Sequence, residues 1–192
     1  VDLLAVHHAG DGPGRSGHGT QPAESVYVER GDADVVRVTL DDLERRQQAR
    51  QARECIGIPT ALQRLDAITG GWRGGQLIVL AGRPAMGKSA VMIHFAHVAA
   101  AFGVPVCVYS LEMPAEQLAG RMLVGGSGVD AQAFRVGSVD ADGWRELEQA
   151  AADLSAMPVY LNDRANITMG AIRSQCKAMA RRGRCGMVII DY

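Results

Sequence analysis

Residues 82–89 read Gly82-Arg83-Pro84-Ala85-Met86-Gly87-Lys88-Ser89, a pair of spaced glycines followed by a cation and a hydroxyl, and that spacing suits phosphate. Glycines let the backbone wrap closely enough for successive N–H groups to point at phosphate oxygens, and a helix that starts at the loop adds its positive end. Lys88 would meet the β and γ phosphates of a nucleoside triphosphate as a point charge, and the Ser89 hydroxyl would ligate Mg2+. All eight residues are therefore candidate nucleotide contacts. Two carboxylates lie farther along the chain. Asp191 closes the apolar run Met187-Val-Ile-Ile, where it would hold the metal through water, although a turn aspartate also commonly ends a buried strand. Glu112 follows Val106-Cys-Val-Tyr-Ser-Leu and would polarise an attacking water as a general base; on position alone a solvated loop glutamate fits equally well.

These groups work together only if the intervening elements bring them to one edge. Residues 76–81 and 105–111 are continuous apolar runs of the kind buried on both faces of a parallel sheet. Shorter strands are expected at 159–161 and 187–190, and helices at 88–102, 115–124, 142–156 and 169–182. Strands separated by helices imply right-handed crossovers, and hence an α/β fold with a mostly parallel central sheet and flanking helices. The helix at 169–182 is amphipathic: Met169, Ile172, Cys176, Met179 and Ala180 would face the core, and Arg173, Lys177 and Arg181 form a basic stripe. With no aromatic residues interleaved, that stripe reads more readily as a solvated face than as a nucleic-acid contact. Thr60 and Gln63 have capping-box spacing and predict a short helix through Leu62, Leu65 and Ile68, stopped by Gly70 and Gly71.

The 192 residues are 47% apolar, enough for one domain of ordinary size plus an appendage. Net charge is −1, which excludes a uniformly basic nucleic-acid coat, although Arg164, Arg173, Lys177, Arg181, Arg182 and Arg184 form a local run without an acidic residue. Cys55, Cys107, Cys176 and Cys185 lack CxxC spacing and read as free thiols. His94 and His97 have no nearby ligand partners and read as ordinary helix residues. No stretch is long and apolar enough for a membrane span, and no signal peptide is evident, so a cytoplasmic protein is expected. Residues 1–38 are expected to be a flexible leader, since the glycines, prolines and polar residues of 1–24 offer little apolar surface to bury. A polar helix is predicted over 39–55, opened by Thr39 with Asp42 and suited to bridging domains or docking on a partner. The remainder, 56–192, is the predicted α/β domain. It ends after a hydrophobic strand, where a parallel sheet would normally continue, so the chain reads as a piece of something longer.

Five ordered segments, Gly57-Ile-Pro-Thr60, Leu65-Asp66 with Thr69-Gly70-Gly71, the loop 82–89, Ser110-Leu-Glu-Met113 and Ile189-Ile-Asp-Tyr192, together resemble the C-terminal motor domain of DnaB-type replicative DNA helicases. The resemblance implies a RecA-like phosphate-loop fold that uses ATP and Mg2+. It makes Lys88, Ser89 and Asp191 the nucleotide and metal contacts and Glu112 the catalytic glutamate. It also implies single-stranded DNA as substrate, a homo-hexameric ring packed through the 39–55 linker helix, and a primase and a helicase loader as further partners. The family's γ-phosphate-sensing glutamine, channel loops and arginine finger lie beyond the residues present. An arginine finger contributes on the order of 10³ to 10⁵ in rate in related enzymes, so these residues alone are expected to turn over ATP weakly. A RecA-like recombination or repair ATPase and a nucleotide-binding module without turnover are the alternatives.

Overall fold

The computed structural model describes residues 2–6, 32–52, 55–83 and 85–192, in two compact units: Val1–Ala9 together with Gly57–Tyr192, and Gly10–Ile56. In chain order the elements are β1 (Asp2–Val6), α1 (Asp32–Ala52), α2 (Gln63–Thr69), β2 (Gln76–Leu80), α3 (Lys88–Ala101), β3 (Val106–Ser110), α4 (Ala115–Gly126), α5 (Ala131–Val136), α6 (Ala141–Ala156), β4 (Val159–Asn162), α7 (Met169–Ala180) and β5 (Met187–Asp191).

The second unit contributes α1. It begins at Asp32, ahead of the capping box expected at Thr39. The Thr39 hydroxyl instead donates to the Val35 carbonyl at 2.8 Å, so it acts as a mid-helix residue bonding back one turn. Arg46 pairs with Asp42 one turn away. Val35, Val36, Val38, Leu40 and Leu43 are exposed.

The first unit is a five-stranded sheet in the order β2-β1-β5-β3-β4. Strands β3, β4 and β5 are mutually parallel, with Ser110 opposite Asp191 and Val108 opposite both Ile189 and Leu161. Alternation along these strands feeds two cores. Val106, Val108, Met187 and Ile189 pack against Met92, Phe95, Ala96 and Ala99 of α3 and Leu118 and Met122 of α4. Cys107, Tyr109, Val188 and Ile190 pack on the opposite face beneath Ile172, Cys176 and Met179 of α7. Every residue of β3 and β5 is buried, as their apolar runs require.

Three expectations are corrected. Within the leader expected to be unstructured, Asp2–Val6 forms β1, antiparallel to both β2 and β5; the short apolar run Leu3-Leu-Ala-Val6 was outweighed by the polar, glycine-rich residues after it. The rest of that leader, 7–31, lies outside the described residues. Strand β2 is not buried on both faces: Leu77 is 62% and Val79 52% exposed, because the core beneath α7 includes no residue of β2. Met169, assigned to the core face of α7, is exposed; it is the helix's first residue and lies beyond the sheet contact.

Ahead of the sheet, backbone strands cross closely at Gly57 and Gly71. A Cβ on Gly57 would lie 2.4 Å from the Trp72 carbonyl oxygen, so only glycine permits the Ile58–Trp72 bridge. Trp72 packs edge-on against Phe95 of α3 at 5.1 Å. Thr60 does not cap α2, whose N-cap is Leu62. The Thr60 backbone N–H and hydroxyl both donate to Asp66 Oδ1, at 2.9 and 2.7 Å, and His94 Nε2 bonds the Thr60 carbonyl at 2.9 Å. His94 thus ties this clasp to α3. The four cysteines are free. Its hydrogen bond with Cys107 is the chief cause that pushes the Cys185 thiol up to about 11, and burial chiefly raises Tyr109, so both stay protonated near neutrality.

Thr60 is fully buried, and Thr60→Val removes one of the two donors to the Asp66 carboxylate. It should lower unfolding free energy by about 1–3 kcal/mol, read from the midpoint of urea denaturation at unchanged m-value.

Candidate nucleotide-binding site

The phosphate loop leaves β2 at Leu80 and ends at α3. Its path depends on two left-handed residues, Ala85 at φ 65° and Gly87 at φ 84°, the second being the N-cap of α3. Between them the Met86 N–H donates to the Arg83 carbonyl at 3.3 Å and closes a turn. Gly87 offers no side-chain cap, and α3 has no acidic residue in its first turn. The helix start therefore presents N–H groups and a positive dipole end without an internal competitor for an anion. A Cβ on Gly82 would lie 3.3 Å from Lys88 Cγ, so the lysine stem lies against Gly82 and would have to shift slightly for a side chain there. Gly82, Arg83, Ala85, Met86 and Gly87 are exposed, and Lys88 and Ser89 half-buried. Pro84 lies outside the described residues.

The carboxylates come from two adjacent parallel strands. Asp191 ends β5 and is 2% exposed. Its carbonyl accepts from the Leu111 N–H at 2.8 Å, which extends the β3–β5 ladder one residue past Ser110. Buried Ser110 then accepts from the Met113 N–H through its hydroxyl at 3.1 Å. This tight turn leaves Glu112 exposed at its tip, directly beside the Asp191 strand. The Asp163 carboxylate after β4 accepts from the Ala115 N–H at 3.0 Å and seats α4 behind the turn. Ser110 and Asp163 were not singled out from sequence; a lone hydroxyl or carboxylate at a strand end carries no pattern.

The predicted site residues thus divide between two groups at the C-terminal edge of one sheet. The loop and Lys88–Ser89 follow β2, while Asp191 and Glu112 follow β5 and β3. With β1 between β2 and β5, the two groups are separated by two strand spacings, about 10 Å. A triphosphate lying along that edge would have its phosphates at the loop and its terminal end toward the carboxylates. The donor set suits Mg2+: Ser89 supplies a hydroxyl and Asp191 a buried carboxylate, hard oxygen ligands of the kind that share this ion with phosphates and water. A carboxylate so deeply buried favours a cation nearby. Among the described residues there is no group of three or more His, Cys, Asp or Glu that could hold a metal ion. The basic stripe of α7, Arg173, Lys177 and Arg181, is exposed.

The fold is an α/β domain of the RecA-like kind, with a phosphate-loop sequence between β2 and α3. Residues 57–192 match the family described as DnaB-like helicase C terminal domain, and the chain belongs to that family. It is 34% identical over 178 residues to the replicative DNA helicase DnaB of Nostoc sp. (strain PCC 7120), covering 90% of this chain and 20% of that protein. With the replicative DNA helicase DnaC of Bacillus subtilis it shares 36% over 160 residues, covering 83% and 35% respectively. It therefore spans about a fifth to a third of these curated relatives. The fold is shared with a solved ATPase domain of another protein, at a TM-score of 0.72 and 23% identity over 80% of this chain and 54% of that one. A DnaB-like replicative helicase solved in a study of its interactions with primase superimposes at 0.67 and 24% identity, over 80% and 36%.

Gly82→Val should displace the Lys88 stem without touching the core. Loss of one charge-assisted contact corresponds to about 1.5–3 kcal/mol, or roughly ten- to a hundredfold weaker binding. Titration with a fluorescent ATP analogue should show that drop while the thermal midpoint stays close to that of the parent chain.

Proposed function

We propose that this chain is the ATP-binding motor domain of a replicative DNA helicase, in which ATP hydrolysis drives the unwinding of DNA. The observation that carries the reading is the convergence of the Gly82–Ser89 loop, Asp191 and Glu112 on one sheet edge in a chain of the DnaB-like family. The loop's N–H groups and the start of α3 hold the α and β phosphates, and Lys88 draws negative charge off the β–γ bridge. Ser89 and Asp191 would hold magnesium, which would supply positive charge to the phosphates. Glu112, free at the tip of its turn, accepts a proton from the attacking water and orients it toward the γ phosphorus. The Ser110–Met113 and Leu111–Asp191 hydrogen bonds support that position by fixing both ends of the turn.

In the same reading single-stranded DNA is the track, and the working form is a homo-hexamer in the cytoplasm. Helix α1 is the linker that packs on a neighbouring copy: Val36, Leu40 and Leu43 are spaced for one helical stripe and are exposed. A primase and a helicase loader are the further partners. No described helix is long and apolar enough to cross a membrane.

Lys88→Ala should abolish binding of labelled ATP. Glu112→Gln should retain ATP and Mg2+ binding yet slow hydrolysis by about 10² to 10⁴ in the assembled helicase; unchanged turnover by that variant would remove Glu112 from the mechanism. For α1, Leu40→Asp with Leu43→Asp should shift the assembled protein from hexamer to smaller species by mass photometry at unchanged nucleotide affinity, and an intact hexamer would refute the linker role.

A further inference from the structure

We infer that Asp163, the residue after β4, is a positioning residue for Glu112: its carboxylate holds the far end of the turn that presents the glutamate at the sheet edge. The inference rests on the reading of Glu112 as the general base and adds to it a side chain from the end of a third strand.

Hydrogen bonds from the backbone of the turn carry the argument. The chain leaves β3 at Ser110 and starts α4 at Ala115. Between them the Leu111 N–H donates to the Asp191 carbonyl at 2.8 Å, and the Met113 N–H donates to the Ser110 hydroxyl at 3.1 Å. Pro114 has no N–H to give. The Ala115 N–H donates to Asp163 Oδ2 at 3.0 Å. The amides on either side of Glu112 are thus held from β5 and β3, and the point where the turn becomes helix is held from β4. Nothing within α4 replaces that last bond. Ala115 is the helix's first residue, so its N–H has no partner inside the helix, and the N-cap Pro114 makes no side-chain cap.

Asp163 is itself held in place. The β3–β4 register pairs Tyr109 with Asn162, the residue before it. Asn162 Oδ1 accepts from the Arg164 N–H at 3.1 Å and closes a tight turn around Asp163. The Asn162 side-chain amide donates to Gln175 Oε1 of α7 at 3.4 Å, the same oxygen that accepts from the Tyr109 hydroxyl at 3.3 Å. The carboxylate therefore stands on a turn tied to its own backbone and, through α7, to β3. Glu112 is exposed, and an exposed side chain takes its direction from the backbone beneath it. Loosening the α4 end of the turn would let the Glu112 carboxylate wander from the attacking water, while the phosphate loop and Asp191 keep their own supports on α3 and β5. Such a change costs rate and leaves nucleotide binding alone.

The test uses the assembled helicase with ATP and Mg2+. Asp163→Ala should lower kcat by on the order of tenfold, as expected for a displaced catalytic group, while the KM for ATP and the affinity for a non-hydrolysable analogue stay at the parent values. Asp163→Asn, which keeps an oxygen acceptor for the Ala115 N–H, should recover most of that loss. Ala115→Pro removes the donor instead, at a first helical position that proline suits. It should match Asp163→Ala, and it decides alone if Asp163→Ala does not fold. Added to Glu112→Gln, Asp163→Ala should cause no further loss, because the group it positions no longer takes a proton. Parent kcat in Asp163→Ala or in Ala115→Pro overturns the inference and leaves Glu112 as the base. So does a loss that persists undiminished in the Glu112→Gln background, the mark of a merely structural role. Unchanged turnover by Glu112→Gln itself refutes the general-base reading and the inference with it.

Discussion

Strand β5 is hydrogen-bonded along both edges and buried along its whole length, and the candidate chemistry is organised around its last residue. The backbone of Asp191 receives the Leu111 N–H, its side chain is shut away from water, and the neighbouring Ser110 closes the turn that carries Glu112. A carboxylate held at the end of a strand packed on both faces has little freedom to follow its ligand. The acidic side of the candidate site is thus held in place by the sheet, and a bound cation would offset the cost of burying the charge.

The basic side is built differently. Lys88 and Ser89 start a helix packed firmly on the sheet, whereas the loop leading to them leaves a strand that is largely exposed. Two left-handed residues, one of them a non-glycine at Ala85, store modest strain in the loop. Stability and function divide the residues in the same way. Val106, Val108, Met187 and Ile189 supply the cohesion, and the exposed loop carries the candidate contacts.

Membership of the DnaB-like family sets the surroundings in which such a half-rigid site operates. The chain corresponds to a minor share of its relatives' length, and α1, with its apolar residues exposed in a compact unit of its own, leaves a surface on which a partner can pack. The clasp of Gly57, Thr60, Asp66 and Trp72 gives a second group of segments a physical role: it ties the approach to the sheet to α3 through His94 and Phe95.

The amino-acid sequence by itself determined the α/β class, the β3, β4 and β5 strands, helices α3, α4, α6 and α7 but not the short α5, and the candidate chemistry at residues 82–89, 112 and 191, because each rests on local information: glycine spacing, apolar period and a charge at the end of a run. Boundaries fell within a few residues for the same reason. Tertiary structure decided what depends on partners distant in the chain. Thr60 has capping-box spacing but is satisfied by Asp66 and His94. Residues 76–80 are as apolar as a buried strand, but none of them joins the core beneath α7. Leu3-Leu-Ala-Val6 is too short to signal a strand in a glycine-rich stretch, yet it gains ladders on both edges once β2 and β5 stand on either side. A strand's burial and register are properties of its neighbours, and no periodicity within five residues encodes them.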